Sequence, residues 1–277
     1  MTGRRRIDPG ASLFGPESVS WRVDRETALL LGGGRALLLQ VAHPLVAAGV
    51  AAYSRFRTEP LTRLQRTLDL MLTIVFADAR AALAAARDIE RVHARVGGTL
   101  DEAVGSFPRG TRYDASDPDL LLWVHATLVD TALVIYERFV GPLDARDRAR
   151  FWEESKITAR LLGVPEARLP RGFGDFRRWF DAVVASDTLA VGATGHEVAA
   201  SILHPPLPAA FAPASALARY VTVGLLPPVL RARYGLSWTE LEERALSGFA
   251  LAVRHALPLL PGIVRDMPQA RRAGRSR

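Results

Sequence analysis

The sequence predicts an all-α protein, a single multi-helix domain, and three observations carry that reading. Hydrophobic residues recur with helical spacing along almost the whole chain, and β-branched residues are scattered. No run alternates cleanly with period two, as a half-buried strand would. Prolines, glycines and short acidic caps punctuate the apolar runs at helix-length intervals. The 277 residues suit one large domain or two small ones, and no linker long enough to divide them is apparent. The expected layout is a domain over 16–265 between short basic tails at 1–15 and 266–277.

Taken in order, a first helix is expected to begin near Asp24, and a second piece runs from Arg35 to Val41 after Gly32-Gly33-Gly34. Pro44 opens an apolar segment to about Tyr53, because proline's missing N–H costs nothing at a first helical position. Glu59-Pro60 starts the next helix, to about Phe76. Asp78 caps another over Ala79 to Val96, stopped by Gly97-Gly98. Residues 99–117 read as irregular. Ser116-Asp117-Pro118-Asp119 is a strong helix start, and its helix is expected to reach Val140. Asp144 opens a charged amphipathic helix to about Leu162. Further helices follow near 175–186, 194–203, 215–223, 228–234 and 239–256.

Composition removes several chemistries. There is no cysteine, so disulfides, cysteine–zinc sites, iron–sulfur clusters, thiolate-ligated haem and thiol nucleophiles are excluded. The net charge of +7 and pI near 10.6 suggest nucleic acid, but the charge sits at the ends. Arg4, Arg5, Arg6, Arg271, Arg272, Arg275 and Arg277 match it, which leaves a near-neutral body and argues against nucleic-acid binding. Lys156 is the only lysine, so Schiff-base candidates are few. Ile7-Asp8-Pro9-Gly10 follows the first arginines where a signal peptide would be apolar. The most apolar segment, Ala36 to Ala52, is shorter than the roughly 20 residues of a spanning helix. A cytoplasmic protein with no transmembrane segment is expected, with peripheral membrane contact left open.

The familiar motifs fail on spacing. Gly32-Gly33-Gly34 lacks the G-x-G-x-x-G pattern and follows a helical segment, so close helix packing or a helix break is expected there. His196-Glu197 lacks the second histidine of a zinc helix. Glu153-Glu154 is followed by Lys156 where a di-iron helix needs histidine, and no G-x-S-x-G elbow occurs.

What remains is histidine and arginine. His43, His93 and His125 each stand in an apolar helical context. One buried histidine alone is most simply a hydrogen-bonded core residue, whereas three suggest a polar pocket. Neutral imidazole is also the usual protein ligand for haem iron where no thiolate is available. Arg63, Arg66 and Thr67 share one helix face at i, i+3 and i+4, beside Leu64, Leu68, Met71 and Leu72. That arrangement suits a solvated helix edge or, alternatively, an anion held by arginine's fork.

The chain resembles the rubber-oxygenase and MpaB-type oxygenase catalytic domain family, long catalogued as a domain of unknown function in actinobacteria. The matching segments are LLLQVAHPLVAAGV (37–50), SRFRTEPLTRLQRT (54–67), RVHARVGG (91–98), YDASDPDLLLWVHATLVDTALVIYERFVGPL (113–143) and the FWEESK…LGVPEARLP region (151–170). The resemblance implies a globin-like helical core holding haem b, with iron ligated by a histidine that aligns with His93. It implies that Arg63 and Thr67 flank the haem, and that Arg66 stands where latex clearing proteins can carry a distal lysine. Arginine is a poor iron ligand, so a lysine-capped state is not expected. His125, in the second strong motif, is the alternative axial ligand or a group behind it. His43 is a further candidate for the cofactor pocket.

The function implied is a haem-dependent oxygenase acting with dioxygen on an alkene or other apolar, isoprenoid-like small molecule. Arg63, Arg66 and Thr67 would then be its catalytic side chains. The alternative is a non-catalytic helical protein that binds haem or a lipophilic ligand. The sequence leaves oligomeric state open.

Overall fold

A computed structural model describes residues 11–53 and 60–275, with side chains described outside 60–67 and 275. Among the described residues it is all-α apart from one small hairpin. The helices are α1 (Val19–Asp24), α2 (Gly33–Val41), α3 (Pro44–Tyr53), α4 (Pro60–Phe76), α5 (Ala79–His93), α6 (Pro118–Ile135), α7 (Ala145–Leu161), α8 (Phe173–Ala185), α9 (Ala193–Leu203), α10 (Ala212–Leu225), α11 (Pro228–Arg233), α12 (Glu240–Ala256), α13 (Gly262–Arg265) and α14 (Pro268–Arg275). The hairpin pairs β1 (Gly97–Thr99) with β2 (Arg112–Asp114), antiparallel, with Gly98 opposite Tyr113.

Helix α6 is the axis of the core. Asp117 caps it by accepting from the Asp119 amide at 2.8 Å, and Pro118 sits in its first turn. Its buried residues face all round, as expected of a helix enclosed by others. Helices α1, α2 and α7 and the 3-10 turn Thr27–Gly32 pack on it. The helix closes in a π-turn, Tyr136–Val140, so the expected helix to Val140 is present with a changed last turn. By length and composition Pro118–Val140 is apolar enough to cross a membrane, but 67% of its most apolar window is buried inside the fold, which suits a core helix. Aromatic stacking joins the layers: Trp152 on Phe176 at 4.3 Å and Trp123 on Phe180 at 5.5 Å between centroids.

The glycine run works by close approach. A Cβ on Gly32 would stand 2.5 Å from Thr131 Cγ2 and 2.7 Å from Ile135 Cγ1, and one on Gly34 would overlap Thr222. Only glycine lets this segment lie against α6 and α10 at that distance.

Three expectations need correction. Asp24 ends α1 rather than opening a helix. Ser18 is the cap, accepting from the Trp21 amide at 3.0 Å, and the Glu154 carboxylate takes the Ser20 amide at 2.7 Å. The irregular stretch 99–117 contains β2, paired with a β1 that begins at Gly97. The expected basic C-terminal tail is largely helix α14, which packs on α4; Met267 and Ala270 are buried with Phe14, Trp21, Val75 and Phe76. The N-terminal arginines 4–6 lie outside the described residues.

Candidate functional site

Helices α4 and α5 form an antiparallel hairpin linked by Ala77 and Asp78, with the most extensive contact between any two described elements. Asp78 caps α5 by accepting from the Ala81 amide at 2.8 Å. Buried Ala79, Ala82, Ala85 and Ala86 form an alanine face on α5, whose small side chains permit close helix approach. His93 is the last residue of α5, at the open end of the hairpin, and is half-buried. Burial lowers its pKa below the ordinary histidine value, so the ring is neutral at pH 7 and keeps a lone pair for a ligand.

In a tight antiparallel hairpin, residues equally far from the link lie level. His93 is therefore level with the Thr62 region of α4, within about a turn of Arg63, Arg66 and Thr67 along the axis. The backbone brings these four sequence-predicted residues to one end of one hairpin. The side chains of Arg63, Arg66 and Thr67 lie outside the described residues.

His43 and His125 lie elsewhere. His43 is buried at the bend between α2 and α3, where its Nδ1 accepts from the Leu45 amide at 3.3 Å. Its ring lies 5.3 Å from that of Phe107. Burial pushes its pKa down to about 4, with Asp117 opposing. His125 is only 4% exposed, midway along α6. Neither ring nitrogen has a hydrogen-bond partner of good geometry among the described residues, nor has Trp123 Nε1. Burial pushes His125 down to about 4, and the nearby Ser155 backbone opposes the shift. Burial disfavours the charged imidazolium, so the neutral form is favoured. Among the described residues the three histidines do not gather into a metal-binding group.

The structure also holds a polar constellation that the sequence reading missed. Asp130, 2% exposed on α6, accepts from Arg35 at 2.7 Å and from Arg177. Arg35 is nearly as buried and gives its other donors to Leu225 O and Thr131 Oγ1, each at 2.7 Å. Arg177 also holds Asp181 at 2.7 Å. This network lines a cleft of about 590 Å³, with Phe180 and Leu133 among its apolar walls. The volume is in the range of small-molecule sites. Each arginine that lines it is paired with a carboxylate, since Arg148 holds Glu137 at 2.5 Å, so the cleft offers no surplus cation. The available signal was a lone aspartate inside an apolar helix, which must have a cation near it.

The lone lysine is likewise structural. Lys156 is buried and donates to Glu153 Oε1 at 2.8 Å and Arg171 O at 2.5 Å.

Comparison with known proteins places these residues in a family. The model of the ER-bound oxygenase mpaB/B'/rubber oxygenase catalytic domain matches residues 21–255, and the chain belongs to that family. An uncharacterized protein of Mycobacterium tuberculosis and one of Mycobacterium bovis are each 28% identical over 192 residues, covering 68% of this chain and 71% of theirs. No solved structure matches.

Proposed function

We propose that this member of the oxygenase family is a haem-b-dependent oxygenase that uses dioxygen on an alkene or other apolar, isoprenoid-like small molecule. The observation that carries the reading is the open end of the α4–α5 hairpin. There a neutral, half-buried His93 stands level with Arg63, Arg66 and Thr67.

The residues present fit haem by their chemistry. A single neutral imidazole is sufficient as an axial protein ligand, and arginines suit propionate carboxylates. Iron held without a porphyrin would need several protein ligands, and the described residues bring no such group together. When bound, haem supplies the oxidising chemistry.

The chain's own residues bind and orient. His93, the last residue of α5, would offer one ring nitrogen as ligand. In this reading Arg63 and Arg66 would pair with the anionic groups of the haem, and Thr67, which the sequence places on the same helix face, would supply a hydrogen-bond donor. Leu68 and Met71, half-buried on α4, would help to exclude water from an apolar substrate. His125 stays neutral in the core and is not the ligand in this reading.

The test is oxygen uptake by haem-supplied protein against a panel of isoprenoid alkenes. Alkene-dependent uptake that disappears in His93→Ala is expected. Tight haem binding with no uptake on any alkene would instead favour a non-catalytic haem protein.

A further inference from the structure

One surface is left unused by that reading. Between α12 and α14 the chain runs Leu257-Pro258-Leu259-Leu260-Pro261-Gly262-Ile263-Val264-Arg265. Both ends of this strap are fastened. Leu257 is buried against α12 and the π-turn that follows α6. At the other end Arg265 holds Glu26 at 2.9 Å, Thr27 Oγ1 donates to Val264 O at 2.8 Å, and the Met267 amide donates to Arg25 O at 2.7 Å. Pro258 and Pro261 fix two further φ angles.

Despite that anchoring, the strap turns its aliphatic side chains outward. Leu259 is 84% exposed, Ile263 69%, Val264 53% and Leu260 41%. Leu30, on the 3-10 turn against which α13 packs, is also exposed. Single exposed apolar residues are ordinary, but several on one anchored segment form a patch that calls for a partner.

Two features indicate the partner. The side chains project rather than line a groove, and they are aliphatic, with none of the tyrosine, tryptophan or arginine anchors that dominate protein interfaces. The charge of the C-terminal segment is also one-sided. From Arg254 onward the chain carries six arginines and a single acid, Asp266. Arg265 is neutralised by Glu26, and Arg254 bonds only backbone carbonyls. Arg271 follows on α14. An aliphatic projection beside basic charge matches the acyl boundary and phosphates of an anionic leaflet.

We infer that the Leu257–Arg265 strap docks this protein on anionic phospholipid bilayers. Leu259, Leu260, Ile263 and Val264 enter the acyl boundary, and the net basic charge of the C-terminal segment favours an anionic leaflet. The inference does not depend on haem or on turnover.

The test is flotation of the full chain with phosphatidylcholine vesicles, with and without about one quarter phosphatidylglycerol. Flotation with the anionic vesicles is expected, weakened but not abolished by salt. The double variant Leu259→Ser/Ile263→Ser should lose about tenfold or more in partitioning. Leu241→Ser, equally exposed but distant in sequence at the start of α12, should partition like the parent. Circular dichroism checks that each variant is folded. Absence of the parent from the anionic vesicle fraction would overturn the inference, as would equal flotation of the double variant. So would a lipid-free dimer that the double substitution dissociates, since a second copy would then cover the strap.

Discussion

Replacing Asp130 with alanine leaves Arg35 in the core without its counter-charge. Arg35 is 3% exposed, and its three nitrogens tie α2 to the end of α10, to Thr131 and to Asp130, each at 2.7 Å. After the substitution the first two bonds remain but both acceptors are neutral. Arg177 is less affected, because it is part-exposed and retains Asp181. Breaking a buried pair by removing one partner costs roughly 3–5 kcal/mol, and the two surviving bonds put this case near about 4 kcal/mol. For a chain of this size that is a fall in Tm of roughly 7 °C. Asp130→Asn keeps an acceptor without the charge and should lose about half as much. Arg168→Ala breaks the exposed pair with Asp119 and should cost under about 1 kcal/mol. Thermal and urea unfolding of the three variants measure this directly. An Asp130→Ala protein no less stable than Arg168→Ala would refute the account of the network.

Other outcomes follow from the same geometry. Gly34→Ala forces a Cβ onto Thr222 and should destabilise by about 1–3 kcal/mol, with Thr222→Ala restoring most of it in a denaturant series. The pH dependence should carry opposing contributions. His43 and His125 have folded pKa values lowered to about 4, so their contributions are full above about pH 6.5 and fall as pH drops toward 4. Burial, with the Glu154 carboxylate adding to it, raises Asp24 to about 7, so its contribution is full at low pH and is lost as pH rises through 7. Asp24→Asn should therefore steepen the loss of stability between about pH 6.5 and 4.5, by up to about 1.4 kcal/mol per pH unit, in unfolding curves taken across that range. An unchanged slope would contradict the placement of that carboxyl. The cap at Thr239, whose hydroxyl accepts from Glu242 N at 3.3 Å while the Glu242 carboxylate returns to Thr239 N at 2.7 Å, should be worth about 1 kcal/mol in Thr239→Ala, read by urea unfolding.

Much of the helical frame was legible because local chemistry and tertiary packing agree on it. Pro44, Pro60, Pro118 and Pro228 begin helices, and Asp78, Asp117 and Asp144 cap them as their side chains predict. Asp24 misled because a capping residue type marks a start only where its own carboxylate meets the following amides, and here Ser18 and Glu154 do that work six residues earlier. The β1–β2 hairpin is too short for periodicity to register. Helix α14 was hidden by its arginines, since Met267, Ala270 and Ala273 supply its contact with the core. At the site, the closeness of His93 to the level of Arg63 follows from two helix lengths and a two-residue link. The Arg35–Asp130–Arg177 network was not legible as a contact, because its members come from three helices far apart in sequence. Only the cost of an isolated carboxylate in α6 pointed to it.

The measurement that bears most directly on the central proposal is the haem content of the purified, haem-supplied chain, taken by pyridine haemochrome alongside the visible spectrum. The account predicts a Soret band at about one haem per chain, lost or greatly reduced in His93→Ala and retained in His125→Ala. A folded parent with no Soret band would contradict it, as would a His93→Ala protein holding a full complement of haem with an unchanged spectrum.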